Sequence, residues 1–298
     1  MAQSREVLIC INRTSGVGPR AGDERESIVA AFEGTGISPQ VELLAGGGIA
    51  EKVEQAVAEG AKLIVVGGGD GSISAAAGVL AGTDTALGIL PMGTLNHFAR
   101  DLGIPFYLAE AARIIAAGRR QQVDLAEVNG RTFINNSAIG LYPLMVIDRE
   151  TQQKRLGRSK RLAMIVASAR TLARFNHQRL TLTVEGQKAQ LDTPLLFVGN
   201  NDYQVALPAP GRRETLQDGK LSVMVMRSKS RLGFVRAAMR ALVGRARSDD
   251  LVHLPPLEQL KVDSRRYTLS LSLDGEAVEL KPPLTYRIRK KALTVIAP

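Results

Sequence analysis

Leu63-Ile64-Val65-Val66-Gly67-Gly68-Gly69-Asp70-Gly71-Ser72 is the stretch on which the fold turns. Its apolar start reads as a buried strand. The strand runs into three glycines, an acid, a further glycine and a hydroxyl, after which a helix is expected. Glycines let the backbone turn tightly and approach phosphate oxygens with no Cβ in the way. The helix that follows offers unpaired N–H groups and the positive end of its dipole, which suits an anion. The spacing matches neither the dinucleotide fingerprint nor the P-loop, because no Gly-Lys-Ser/Thr follows. Gly88-Ile89-Leu90-Pro91-Met92-Gly93-Thr94-Leu95-Asn96-His97-Phe98-Ala99 repeats the design. Thr94 there is placed to start a helix as N-cap or to serve as a nucleotide ligand. Two such turns after neighbouring strands predict one shared nucleotide site.

Outward from these turns, the first ~125 residues alternate strands and helices as βαβ units do. Strands are expected at Glu6–Ile11, Val41–Leu44, Leu63–Val66 and Ala86–Leu90, and helices at Asp23–Phe32, Ile49–Ala58, Ile73–Ala81, Thr94–Leu102 and Leu108–Ala116. A loop, Asn12–Gly18, follows the first strand. Parallel strands need such crossovers, so a doubly wound α/β domain is predicted. From Val123 the texture becomes β-rich, with turn signals at Asn129-Gly130 and Glu185-Gly186. Strands are expected at Val123–Val128, Thr132–Asn135, Leu180–Val184, Leu195–Val198, Leu221–Met226, Tyr267–Leu273 and Leu284–Arg289, with helical insertions at Ser159–Phe175 and Arg231–Val243. The expected domains are therefore 1–122, nucleotide-binding, and 123–298, β-rich. The last residues are candidates to return to the first domain.

Composition narrows the class. The 298 residues suffice for two domains, and 45% hydrophobic with 23% charged residues argue against disorder. The single cysteine, Cys10, excludes an intrachain disulfide and a Cys-rich zinc site, and its apolar neighbours make it a buried strand residue. The apolar run within Met1–Arg13 is too short for a signal-peptide core, and no stretch approaches the ~18 apolar residues of a spanning helix. A cytoplasmic protein with peripheral membrane contact is expected. The net charge of +10 and pI near 10.0 favour anionic partners without choosing among nucleotide, nucleic acid and lipid headgroup. Few aromatics lie among the basic residues, which speaks against single-strand nucleic-acid binding.

Together the two turns resemble the diacylglycerol kinase catalytic-domain family, which includes bacterial lipid kinases and sphingosine kinases. Its Gly-Gly-Asp-Gly-Thr motif stands here as Gly68-Gly69-Asp70-Gly71-Ser72, and its Pro-x-Gly-Thr-x-Asn-x-x-Ala motif as Pro91, Gly93, Thr94, Asn96 and Ala99. The Asn-Pro-x-x-Gly loop is partly kept as Asn12 to Gly16, with Arg13 in place of proline. Val123-Asp124-Leu125 with Phe133-Ile134-Asn135-Asn136 and Gly140 is similar to the domain-crossing segment. Asp218-Gly219-Lys220-Leu221 and Leu273-Asp274-Gly275-Glu276 match two later elements. Departures are Ser74 and Ala75 where Asn-Glu is frequent, Leu44 where many members carry Thr, and His97 in place of a common Asp.

The resemblance implies an N-terminal α/β domain, a C-terminal β-sandwich and the nucleotide in the cleft between them. It implies a kinase that moves the γ-phosphoryl of ATP, with Mg2+, to a hydroxyl of a membrane lipid. For the nucleotide it points to Asn12, Gly68, Gly69, Asp70, Gly71, Ser72, Gly93, Thr94 and Asn96. An acid isolated among glycines, Asp70 suits metal or nucleotide contact. The family places the proton acceptor in Asp274-Gly275-Glu276; in an extended strand both carboxylates would face one side, and the other reading of these residues is an ordinary Asp-Gly turn between strands. Asp218, with the backbone carbonyls of Thr215 and Lys220, matches the family's structural Mg2+ site.

Two basic stretches bear on the lipid. Arg149–Arg179 holds nine basic residues and one acid, Glu150; Arg227–Arg247 holds seven basic residues and no acid, around Leu232, Phe234, Val235, Met239, Leu242 and Val243. Basic amphipathic helices of this kind lie on anionic bilayers. Two other functions remain open: a kinase of a soluble substrate, like NAD kinase, and a nucleotide-binding protein without catalysis.

Overall fold

The computed structural model describes residues 5–13, 21–45, 47–145, 166, 170, 177–203, 212–228, 230–243, 245 and 251–298. The expected helix Ser159–Phe175 lies outside them except at positions 166 and 170, as does the loop beyond Arg13. The chain divides into two compact units. The first comprises Met1–Leu125, Glu214–Gln217 and Arg289–Pro298; the second comprises Ala126–Arg213 and Asp218–Ile288.

In the first unit, strands β1 (Arg5–Asn12), β2 (Ile37–Leu44), β3 (Leu63–Gly68) and β4 (Ala86–Pro91) form a parallel sheet in the order β2-β1-β3-β4. Every residue of β3 and β4 is buried, which is why these strands read as continuous apolar runs rather than alternating ones. Helices α1 (Ala21–Ala31), α2 (Gly48–Ala58), α3 (Asp70–Leu80), α4 (His97–Asp101) and α5 (Leu108–Ala117) connect them. Spacings of three and four put Ile49, Val53 and Ala56 of α2, and Ile73, Ala76, Ala77 and Leu80 of α3, on buried stripes. After β1 pairs with β2, the chain crosses to β1's other side for β3 and β4, so the strand order reverses between β1 and β3. Ligands of open α/β sheets collect at the carboxyl ends of strands at such a reversal.

Two strands run from one unit into the other: β5 (Arg120–Val128) and the last strand, β16 (Leu284–Ile296). In the first unit Val295 of β16 pairs in parallel with Leu87, and Gly82 N–H donates to the Ala292 carbonyl at 2.7 Å.

The second unit is a β-sandwich. One antiparallel sheet has the order β12-β11-β10-β7-β14-β15, from strands β7 (Asn136–Gly140), β10 (Leu195–Asn200), β11 (Leu221–Met226), β12 (Leu251–His253), β14 (Leu269–Leu273) and β15 (Glu276–Leu280). In the other layer the start of β16 pairs with β13 (Gln259–Ser264), then β8 (Gln178–Val184) and β9 (Gln187–Thr193), while β5 pairs with β6 (Arg131–Phe133). Alternate residues point inward from both layers: Leu196 and Val198, Leu221, Val223 and Val225, Leu269, Leu271 and Leu273 from one; Leu180 and Leu182, Leu260 and Val262, Leu284 and Tyr286 from the other. Helix α6 (Arg231–Leu242) follows β11.

The helix expected from Thr94 begins only at His97. Asn96 adopts φ 47, a left-handed conformation that the first turn of a helix cannot contain. Five strands, β7, β9, β12, β13 and β15, were not anticipated.

Candidate functional site

At the strand-order reversal, Asn12 ends β1 and its Nδ2 donates to Ser72 Oγ at 2.9 Å, joining the first loop to the glycine turn after β3. Ser72 is buried, and its hydroxyl oxygen is the acceptor in this join. The two glycine turns also lock together. Met92 N–H donates to the Gly68 carbonyl at 3.0 Å, and a Cβ on Gly93 would sit 2.4 Å from Gly69 Cα. Only glycine permits that approach. Asn96 closes the second turn through a reciprocal pair with Gly93, the amide N–H donating to Oδ1 and Nδ2 donating to the carbonyl, each at 2.9 Å.

Asp70 opens α3, and its carboxylate accepts the amides of His97 at 3.1 Å and Phe98 at 3.0 Å. The acid therefore caps α4, taking over the role expected of Thr94, whose side chain is exposed. What remains open to a ligand is the backbone of the glycine turn and the first turn of α3, whose leading amides have no partner within the helix. His97, the departure from the family's common Asp, meets Arg100 through Nδ1 at 2.6 Å. Two residues before Asn12, Cys10 is fully buried; burial, and secondarily Glu42, push its thiol up to about 11, so it stays protonated and unreactive.

In the second unit, Asp274 and Gly275 are the two central residues of the turn joining β14 to β15, with φ 48 and φ 84. Both positive values mark a tight hairpin turn of the kind Asp-Gly favours. The expected extended strand with two carboxylates on one side is therefore incorrect, because the chain reverses between them. The two acids have separate environments. Asp274 accepts the amides of Ile134 and Asn135 at 2.8 Å and of Asn136 at 3.0 Å, while Glu276, opening β15, is exposed. The segment 134–136 is held in turn by Asn200 and Arg213, both buried, neither singled out by the sequence. Their partners lie 66 to 79 residues away along the chain, beyond any local pattern.

Asp218 and Lys220 lie in the second unit and Thr215 in the first. The Lys220 carbonyl accepts the Asn201 amide at 3.0 Å, and its ammonium pairs with Glu258 at 2.9 Å. Among the described residues no three His, Cys, Asp or Glu side chains cluster to hold a metal. A cation at Asp218 would therefore draw its remaining ligands from backbone carbonyls and water. That oxygen-only donor set fits a hard ion. Asp124 is buried in the first unit, where its Oδ1 accepts the Lys291 amide at 2.8 Å.

Residues 6–128 match the family described as the diacylglycerol kinase catalytic domain, and residues 145–297 match the YegS C-terminal NAD kinase beta sandwich-like domain. The diacylglycerol kinase of Bacillus subtilis (strain 168) is 28% identical over 72% of this chain and 71% of its own length. The probable lipid kinase YegS-like of Enterobacter sp. (strain 638) is 30% identical over 67% of each chain. A solved structure from Bacillus anthracis str. Sterne, provisionally assigned as a diacylglycerol kinase, superposes with a TM-score of 0.77 at 26% identity, covering 100% of this chain and 99% of that one. Yeast NADH kinase, solved with NADH, shares the fold with a TM-score of 0.56 at 12% identity over 99% of this chain and 83% of its own.

Proposed function

Since the chain belongs to the diacylglycerol kinase catalytic-domain family, we propose that it is a lipid kinase moving the γ-phosphoryl of ATP to a hydroxyl of a membrane lipid, diacylglycerol or a related lipid alcohol. The observation that carries this is the pair of glycine turns locked together at the strand-order reversal of the first unit. Phosphoryl transfer asks a protein chiefly for positioning and charge stabilisation. Backbone amides at Gly69, Gly71 and Ser72, with the α3 dipole, suit the nucleotide phosphates, and exposed Thr94 offers a hydroxyl beside them. Asp70 and Asn96 set the shape of these turns. Mg2+, when bound, would offset the charge of the phosphates, and Asp218 suits a structural Mg2+ whose other ligands are backbone carbonyls and water.

In the transfer, the acceptor oxygen bonds to the γ-phosphorus while the bond to the β–γ bridging oxygen breaks, releasing ADP. The hydroxyl proton goes to Glu276, whose carboxylate is exposed and carries no backbone load, unlike that of Asp274. Exposed apolar residues and arginines of α6 suit a peripheral contact with an anionic bilayer, where such a substrate resides.

The test is incubation with labelled ATP, Mg2+ and a total lipid extract, with NAD+ as a parallel acceptor. Label is expected in one lipid species. Label on NAD+ alone, or ATP binding with no transfer to any acceptor, overturns the reading.

A further inference from the structure

We propose that Arg213 is a positioning residue for Glu276, acting through residues 134–136 and Asp274; this rests on Glu276 being the proton acceptor. Segment 134–136 links β6 to β7, and its first two residues precede the β7 ladder, so their backbone groups must find partners elsewhere. Arg213, only 2% exposed, supplies several. Its Nη1 donates to the Ile134 carbonyl and, at 3.3 Å, to the Asn200 carbonyl, while Nη2 donates to Asn135 Oδ1 at 2.7 Å. The guanidinium lies 5.8 Å from the centre of the Tyr203 ring, and the Tyr203 hydroxyl accepts Asn136 Nδ2 at 3.1 Å. Arginine and tyrosine thus reach all three residues of the segment.

The amides of these same three residues converge on the Asp274 carboxylate, and Asp274 N–H returns to the Asn136 carbonyl at 2.9 Å. Asp274 is the first central residue of the turn whose exit is Glu276. A continuous chain of hydrogen bonds therefore runs from a buried guanidinium to the base of the candidate proton acceptor. The planar fork of arginine bridges several acceptors at fixed angles, which a lysine ammonium cannot reproduce. Displacing a catalytic group by about 1 Å costs on the order of 100-fold in rate.

The experiment is a double-mutant cycle in the full chain, combining Arg213→Met with Glu276→Gln and reading kcat for lipid phosphorylation together with ATP affinity. Arg213→Met alone is expected to lower kcat by roughly 10- to 100-fold with ATP affinity unchanged. In the Glu276→Gln background the same substitution is expected to change kcat by less than about 2-fold, since the group it positions is already gone. Asn135→Ala, which removes one acceptor and keeps the guanidinium, is the second variant; a smaller loss with the same dependence on Glu276 is expected. Equal fractional losses in both backgrounds overturn the proposal, because general loosening acts with or without the carboxylate. Wild-type turnover in Arg213→Met overturns it too, and both outcomes leave the acceptor reading intact. Wild-type turnover in Glu276→Gln alone removes the acceptor reading, and this proposal with it.

Discussion

Asp70 and Glu276 are both acids beside a glycine, yet they carry different loads. The Asp70 carboxylate holds two amides of α4, 27 and 28 residues further on, whereas exposed Glu276 holds no backbone group among the described residues. Asp70→Ala is therefore expected to abolish lipid labelling and also to lower the melting temperature, by the roughly 2 °C that a lost cap of about 1 kcal/mol implies. Glu276→Ala is expected to lower labelling on the order of 100-fold, to a residual rate that is still measurable, with the melting temperature unchanged. Labelling assays beside thermal melts check both, and wild-type transfer by the two variants would sink the site. The two glycine turns were legible because their chemistry is local: Gly68 to Ser72 and Pro91 to Asn96 announce themselves within ten positions. Asp274 was misread because two acids separated by one residue fit a strand and a turn equally well. Only the φ of Asp274 and Gly275 decides between them.

Among the elements, α6 is the one whose packing leaves most unexplained. Leu232, Met239 and Val243 are 60%, 57% and 53% exposed, and spacings of seven and four bring them onto one face, with Arg236 between them. A stripe of this composition lowers its free energy by entering the headgroup region of an anionic bilayer, at about 1 kcal/mol per nearby arginine. The double substitution Leu232→Glu with Met239→Glu is expected to reduce co-sedimentation with phosphatidylglycerol-containing vesicles at least tenfold and to leave ATP binding unchanged. Equal sedimentation of both proteins would remove α6 from the membrane contact. The helix was readable because its apolar residues recur at helical spacing. The edge strand β9 was not: Gln187–Thr193 carries only Ala189 and Leu191 as apolar residues, too few to register as an alternating strand, and pairing with β8 along its whole length makes it one. Short β13 and β15 were lost for a related reason, since Gln259–Ser264 holds only Leu260 and Val262 and Glu276–Leu280 only Ala277, Val278 and Leu280 as apolar residues.

At the scale of the whole molecule, each unit buries, among the described residues, a group whose proton is held by burial. Burial raises the Cys10 thiol in the first unit from 9.0 to about 11, and burial raises the Tyr286 phenol in the second, against a smaller opposing effect of its hydrogen bond with Ser137. Both groups hold their proton more tightly folded than unfolded, so their contribution is complete below the ordinary thiol value and is lost as pH climbs beyond it. Urea midpoints measured between pH 8 and 11 are expected to fall above pH 9, and Cys10→Ala is expected to flatten the start of that decline. An identical slope in the variant would exclude the thiol. Neither unit is a single length of chain. Val295 and Ala297 are buried in the first unit, and Ala292 binds Gly82 there, although more than two hundred residues of chain separate the partners. On the ribosome, the parallel sheet carrying both glycine turns thus waits, one strand short, until the whole sandwich has been synthesised. Nascent chains arrested before residue 289 would carry every candidate nucleotide residue and still lack the strand that completes their sheet, so ATP binding would arise late in synthesis and in a single step.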